Sequence, residues 1–125
     1  MQITPQIDIE LENREGVFFT SLTLNGTLTH QDYTILVPMI ENSVKMVENP
    51  KLNMLLDARD FTGWEPQAAW DDFKFGLEFK EIFLKIAIVG TKNWQEYLAK
   101  IGDWFIHGEV KFFYELDEAK EWINR

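Results

Sequence analysis

The chain has 125 residues, 46% of them hydrophobic and none of them cysteine, which is material for one core and leaves no disulfide, thiolate metal site or cysteine nucleophile. Its formal charge of −9, from 21 acidic and 12 basic residues, comes with no basic run, so nucleic acid is excluded as a partner and anionic lipid headgroups repel it. Met1 to Pro5 has neither a basic nor an apolar signal-peptide region, and nowhere do 18 uncharged apolar residues run together; a cytoplasmic protein with no transmembrane segment is expected, with peripheral membrane contact through apolar side chains left open.

Ile7, Ile9 and Leu11 alternate with Asp8, Glu10 and Glu12, the period of a strand with one wet face. Asn13-Arg14-Glu15-Gly16 reads as a turn, and Val17 to Leu24 as the second strand of an antiparallel hairpin that Asn25-Gly26 stops. Thr29 then caps a helix, with Asp32 in the capping-box position. Tyr33, Leu36, Val37, Ile40, Val44 and Val47 keep helical spacing through Pro38, which should kink the helix before Asn49-Pro50 ends it. Leu52 to Asp57 is a third strand, and Pro66 opens a second helix reaching about Ile82. Lys85 to Gly90 is a fourth strand whose unbroken Ile86-Ala87-Ile88-Val89 marks burial on both faces. A third helix follows from about Asn93 to His107, then a short strand from Lys111 to Tyr114 and a last helix capped by Asp117. The order β-β-α-β-α-β-α-β-α implies one α/β domain over 1–125: a mixed five-stranded sheet, mostly parallel, with helices packed on it.

Several segments resemble the SpoIIAA-like proteins of the STAS superfamily. They are Gly26-Thr27-Leu28-Thr29-His30-Gln31-Asp32-Tyr33 before the proline-bearing helix, Leu55-Leu56-Asp57-Ala58-Arg59-Asp60-Phe61-Thr62-Gly63-Trp64, Ala69-Trp70-Asp71-Asp72, Ile86-Ala87-Ile88-Val89-Gly90, and the closing Glu118-Ala119-Lys120-Glu121-Trp122-Ile123. The resemblance implies an antiparallel first strand at one edge of the sheet and says little about activity. Better-known STAS members, the anti-anti-sigma factors, carry a phosphorylatable hydroxyl directly after an Asp where the third strand meets the second helix. Here Asp57 is followed by Ala58, and Thr62 lies off that motif, which argues against a kinase-switched role. A likeness of STAS folds to lipid-carrying CRAL-TRIO domains favours an apolar ligand, by analogy of fold alone.

The second helix carries the strongest functional signal. Stepping about 100° per residue, its apolar residues cover an arc of about 240°, against the roughly 100° that a helix resting one face on a sheet requires. The extra stripe, with Ala69, Trp70, Phe73 and Leu77, is core under a neighbouring element, the wall of an apolar cavity, or an exposed patch for a partner, a twin subunit or a bilayer. The stretch Asp57 to Glu65 reads as a loop at the carboxyl end of a parallel strand, where α/β sheets bind ligands. Arg59 there is either an anchor for an anionic headgroup, flanked by Phe61 and Trp64, or the partner of Asp57 or Asp60. Thr91 to Trp94 brings a helix N-terminus to the same edge. His30 and His107 stand apart in sequence from any nucleophile, and no metal-ligand spacing occurs, so neither catalysis nor a cofactor is expected. The leading expectation is a non-enzymatic binding protein for an apolar or amphipathic, lipid-like molecule, with Arg59, Phe61, Trp64, Trp70, Phe73, Leu77 and Trp94 as its site. The alternative is a regulatory protein-interaction module, with a partner protein or a second copy on the same helix.

Overall fold

The computed structural model describes residues 1–91 and 108–125. The helix expected over 93–107, with Trp94 and His107, lies outside the described residues. The elements are β1 (Gln2–Thr4), β2 (Ile7–Arg14), β3 (Val17–Leu28), α1 (His30–Val44), β4 (Lys51–Trp64), α2 (Pro66–Phe79), β5 (Phe83–Val89), β6 (Glu109–Phe113) and α3 (Leu116–Ile123). The strands lie side by side in chain order as a six-stranded sheet, rather than the five expected. β1 pairs antiparallel with β2 and β2 with β3, whereas β3, β4, β5 and β6 run parallel. The added strand β1 has three residues, too few for a period to show, and Thr4 Oγ1 holds its turn by accepting from the Gln6 and Ile7 amides at 3.2 and 3.1 Å.

Local chemistry explains the main elements. Arg14 pairs with Val17, so the hairpin turn is Glu15-Gly16, and their φ values of 54° and 89° are the two positive angles that a two-residue hairpin turn demands. Thr29 caps α1: its hydroxyl accepts from the Asp32 amide, while the Asp32 carboxylate accepts from the Thr29 amide at 2.8 Å. Pro38 lies inside α1, which ends at Val44, short of Asn49-Pro50. β5 is buried on both faces, as its uninterrupted apolar run requires.

Each face of the sheet has its own core. On one, Tyr33, Leu36 and Ile40 of α1 and Ala68, Phe75 and Phe79 of α2 pack over Leu22, Leu52, Met54, Ile86 and Ile88. On the other, Ala119, Trp122 and Ile123 of α3 pack on Leu55, Ala87, Val89 and Phe113. Because Ile40 has no exposed surface, Ile40→Ala should cost about 2–5 kcal/mol, while Thr29→Ala, which removes one cap, should cost about 1 kcal/mol. Urea denaturation of both variants measures the ranking; a larger loss for Thr29→Ala contradicts it.

Candidate functional site

Asp57 to Trp64 is strand, not the expected loop, and that correction builds the site. β3 continues past Asn25-Gly26 to Leu28, giving β4 a partner as far as Trp64. The pairing is irregular twice: Thr23 and Asn25 face Asp57 and Asp60, then Gly26 and Thr27 face Phe61 and Gly63. Each step places one extra residue in β4, a bulge that reverses which face the following side chains take. Gly63, with φ of 129°, supplies a conformation that side chains resist. Ala58, in step with Met54 and Leu56, and then Phe61 and Trp64, one after each reversal, all border one apolar cavity between the sheet and the α1–α2 layer. The cavity has a volume of about 70 Å³, and Leu22, Met54 and Phe75 also line it.

At this cavity three polar groups from three elements meet. Trp64 Nε1 donates to the Tyr33 hydroxyl at 2.9 Å, and that hydroxyl donates to Asp72 Oδ1 at 2.7 Å. Desolvation lifts the Asp72 carboxyl from its ordinary 3.8 to about 6, against the lowering effect of the Tyr33 hydrogen bond. Burial, followed by the adjoining Asp72 charge, raises the Tyr33 hydroxyl, so it stays protonated and remains a donor. Asp72 interrupts the apolar arc of α2 in sequence, and Tyr33 is the partner that makes its place tolerable.

A second cluster ties α2 to α1. His30 Nδ1 lies 2.6 Å from Asp71 Oδ2, and Gln67 and Lys74 reach the other carboxylate oxygen at 3.4 and 3.7 Å. Asp71 is buried. Burial raises its carboxyl, but the hydrogen bonds from His30 and Gln67 outweigh that and hold it below the usual range. His30, Asp71 and Lys74 border a groove between α1 and α2 that also takes in Glu41 and Glu78, where burial and the neighbouring Glu41 carboxyl raise that of Glu78.

The residues expected to form one binding site are not gathered together. Phe61 and Trp64 share the cavity, edge to face at 4.8 Å between ring centres. Arg59 is held by Asp57, its Nε and Nη2 donating at 2.8 and 2.7 Å to the two carboxylate oxygens. That bidentate pair draws the Asp57 carboxyl below its usual range. Trp70 and Leu77 point outward, 56% and 45% exposed, with Trp70 stacked on Phe73 at 5.6 Å. Trp94 lies outside the described residues. Sequence reasoning missed the roles of Tyr33, Asp72, His30 and Asp71, whose spacings of 39 and 41 residues carry no local pattern. Among the described residues no group of three or more His, Cys, Asp or Glu is placed to hold a metal ion, and no helix is long and apolar enough to cross a membrane.

A family model described as SpoIIAA-like matches residues 19–124. The chain belongs to the SpoIIAA-like family. Among solved structures it is similar to an uncharacterised protein of the DUF3478 family with a SpoIIAA-like fold from Shewanella loihica PV-4, at 32% identity over 98% of both chains and a TM-score of 0.79. It also shares its fold with an anti-sigma factor antagonist from Mycobacterium paratuberculosis, at 15% identity, 98% coverage of both chains and a TM-score of 0.55. A search of curated proteins gives no match. In this SpoIIAA-like chain the residue after Asp57 is Ala58, 1% exposed in the cavity wall, and β4 meets α2 only after Trp64. Near that junction Thr62 Oγ1 is exposed and lies 2.9 Å from Thr27 Oγ1.

Asp72→Asn tests the desolvated carboxylate. Between about pH 4 and 6 the unfolded chain releases a proton that folded Asp72 retains, so the wild-type protein loses stability as pH rises through that window. Asparagine still accepts from Tyr33 and carries no charge, so the variant should be more stable by about 2 kcal/mol at pH 7.5, with the gain fading near pH 4. Urea denaturation at both pH values measures it; a loss at pH 7.5 would show that the charge contributes stability.

Proposed function

We propose that this SpoIIAA-like protein is a non-enzymatic, regulatory protein-interaction module and that the outward stripe of α2 is its docking surface. The observation that carries this reading is the exposure of Trp70 and Leu77 beside Phe73 on one face of α2. Large apolar side chains grouped in water are unfavourable in a lone chain and become favourable when a partner covers them, and a tryptophan at such a place is the residue type that most often dominates binding. The anti-sigma factor antagonist of the same fold supports a protein as the partner. The test is a photo-crosslinking residue at position 70, with position 46, equally apolar and 84% exposed, as control. A discrete protein adduct at 70 and none at 46, lost when Leu77→Asp is added, is expected; equal labelling at both positions sinks the reading.

A second reading has its own observation. The cavity under α2 is apolar except for the Trp64, Tyr33 and Asp72 groups at one side, the layout of a site for a small amphipathic molecule. An apolar cavity of roughly 150 Å³ accommodates benzene, so the present volume of about 70 Å³ takes a shorter apolar group unless α2 moves. Ala58→Met would fill this space. Native mass spectrometry of the gently purified protein should then show a discrete extra mass in the wild type and none in Ala58→Met. The same extra mass in both would place the ligand elsewhere.

A further inference from the structure

The face of the sheet that carries α3 has a second groove, separate from the cavity and the α2 stripe. It runs beside α3 over β2, β3 and β4 with a volume of about 320 Å³. The strand registers set its floor in two rows, Glu12–Phe19–Asn53 and Glu10–Ser21–Leu55. Asn53 alternates with Leu52 and Met54, which belong to the opposite core, so its side chain faces the groove. It is 6% exposed, yet its Oδ1 has no hydrogen-bond partner. Buried polar atoms are nearly always paired, so an orphan amide oxygen in a groove wall marks a place where a ligand's donor fits.

The charges of the groove restrict what that ligand is. Glu10 is 2.7 Å from the N-terminal amine, and Glu12 is 3.0 Å from Arg14. Arg14 is further fixed by donating to Asn124 Oδ1 at 2.8 Å and by lying 3.9 Å over the Phe19 ring. Lys120, one turn before Asn124 on α3, has no such ion pair among the described residues. Among the described residues Lys120 is thus the groove cation without a direct ion pair, its charge felt only at longer range by Asp57. The remaining lining joins the aliphatic Leu11, Leu55 and Ile123 to Thr20, whose Oγ1 is likewise without a partner. We propose that the groove binds a small monoanionic carboxylate bearing an amide and an aliphatic group. The carboxylate lies at Lys120, and the amide pairs with Asn53, whose side chain offers an acceptor and a donor pair side by side.

The test uses the full chain, labelled with nitrogen-15 and titrated with N-acetyl-leucine, N-acetyl-leucinamide and acetate. N-acetyl-leucine should shift the Asn53 side-chain amide and the Ser21 backbone amide saturably, with Kd on the order of 1 mM, and bind at least about tenfold tighter than either of the other two. Asn53→Leu should abolish the saturation. Lys120→Met, an exposed change that leaves the fold undisturbed, should remove the preference for the acid over the leucinamide. No saturable shift in the wild-type protein, or binding unchanged in either variant, overturns the proposal. Neither variant touches α2 or the cavity, so failure here leaves the docking reading intact, and the reverse also holds.

Discussion

The structure depends on β4 being paired along its whole length while twice breaking step with β3. A parallel strand buried on both sides must satisfy its backbone on both neighbours, and β4 does so against β5 as far as Asp57 and, among the described residues, against β3 alone from there to Trp64. The solitary stretch is where an extra residue can be inserted, because with no β5 partner a bulge there disturbs a single ladder. The consequence is local in sequence and wide in effect. Arg59 stays on the Asp57 side, while Phe61 and Trp64 turn into the apolar layer and close the cavity.

α2 rests on this arrangement. Pro66 starts the helix directly after Trp64, so the end of β4 fixes where its first turn begins. Its sheet-facing residues, Ala68, Phe75 and Phe79, are then committed to the core. Of the remaining circumference, one side meets α1, and Trp70 and Leu77 face solvent. The side toward α1 is polar but not idle: burying Asp71 without a partner would cost several kcal/mol, and the short contact with His30 offsets that and locks the rotation of the helix. An over-wide apolar arc was therefore the sum of a core stripe and an exposed stripe, each narrow.

These details also show which parts were legible in sequence. The antiparallel hairpin, the capping box, the doubly buried β5 and the family resemblance were readable because each is carried by neighbouring residues: alternation, a three-residue spacing, an apolar run, a short motif. Asp57 to Trp64 was misread as a loop because bulges erase alternation, and Gly63 and the charges at Asp57, Arg59 and Asp60 imitate loop composition. Of the expected site, the surplus of apolar helix that includes Trp70 and Leu77 was visible, but not that these two face solvent instead of lining the cavity. The Trp64–Tyr33–Asp72 chain was not, since it joins three elements through contacts that no sequence period encodes. Asn53 was equally hidden, because in a list of strand residues an unpaired amide looks like any other polar position.

Three consecutive residues of α2 connect these environments. Trp70 projects to solvent, Asp71 to His30 of α1, and Asp72 to Tyr33 at the cavity, each about 100° from the next as helix geometry dictates. A rigid helix cannot turn one of them without turning all three. Releasing Asp72 from Tyr33 by rotation would carry Asp71 away from His30 and change the angle at which Trp70 meets a partner. Retaining Trp70's presentation requires both hydrogen bonds to hold. Asp72 is the weaker of the two anchors, because desolvation works against its charge, whereas the Asp71 carboxyl is held ionised by its donors. The cavity side of α2, rather than the α1 side, is thus where a small chemical change most readily reaches the exposed face.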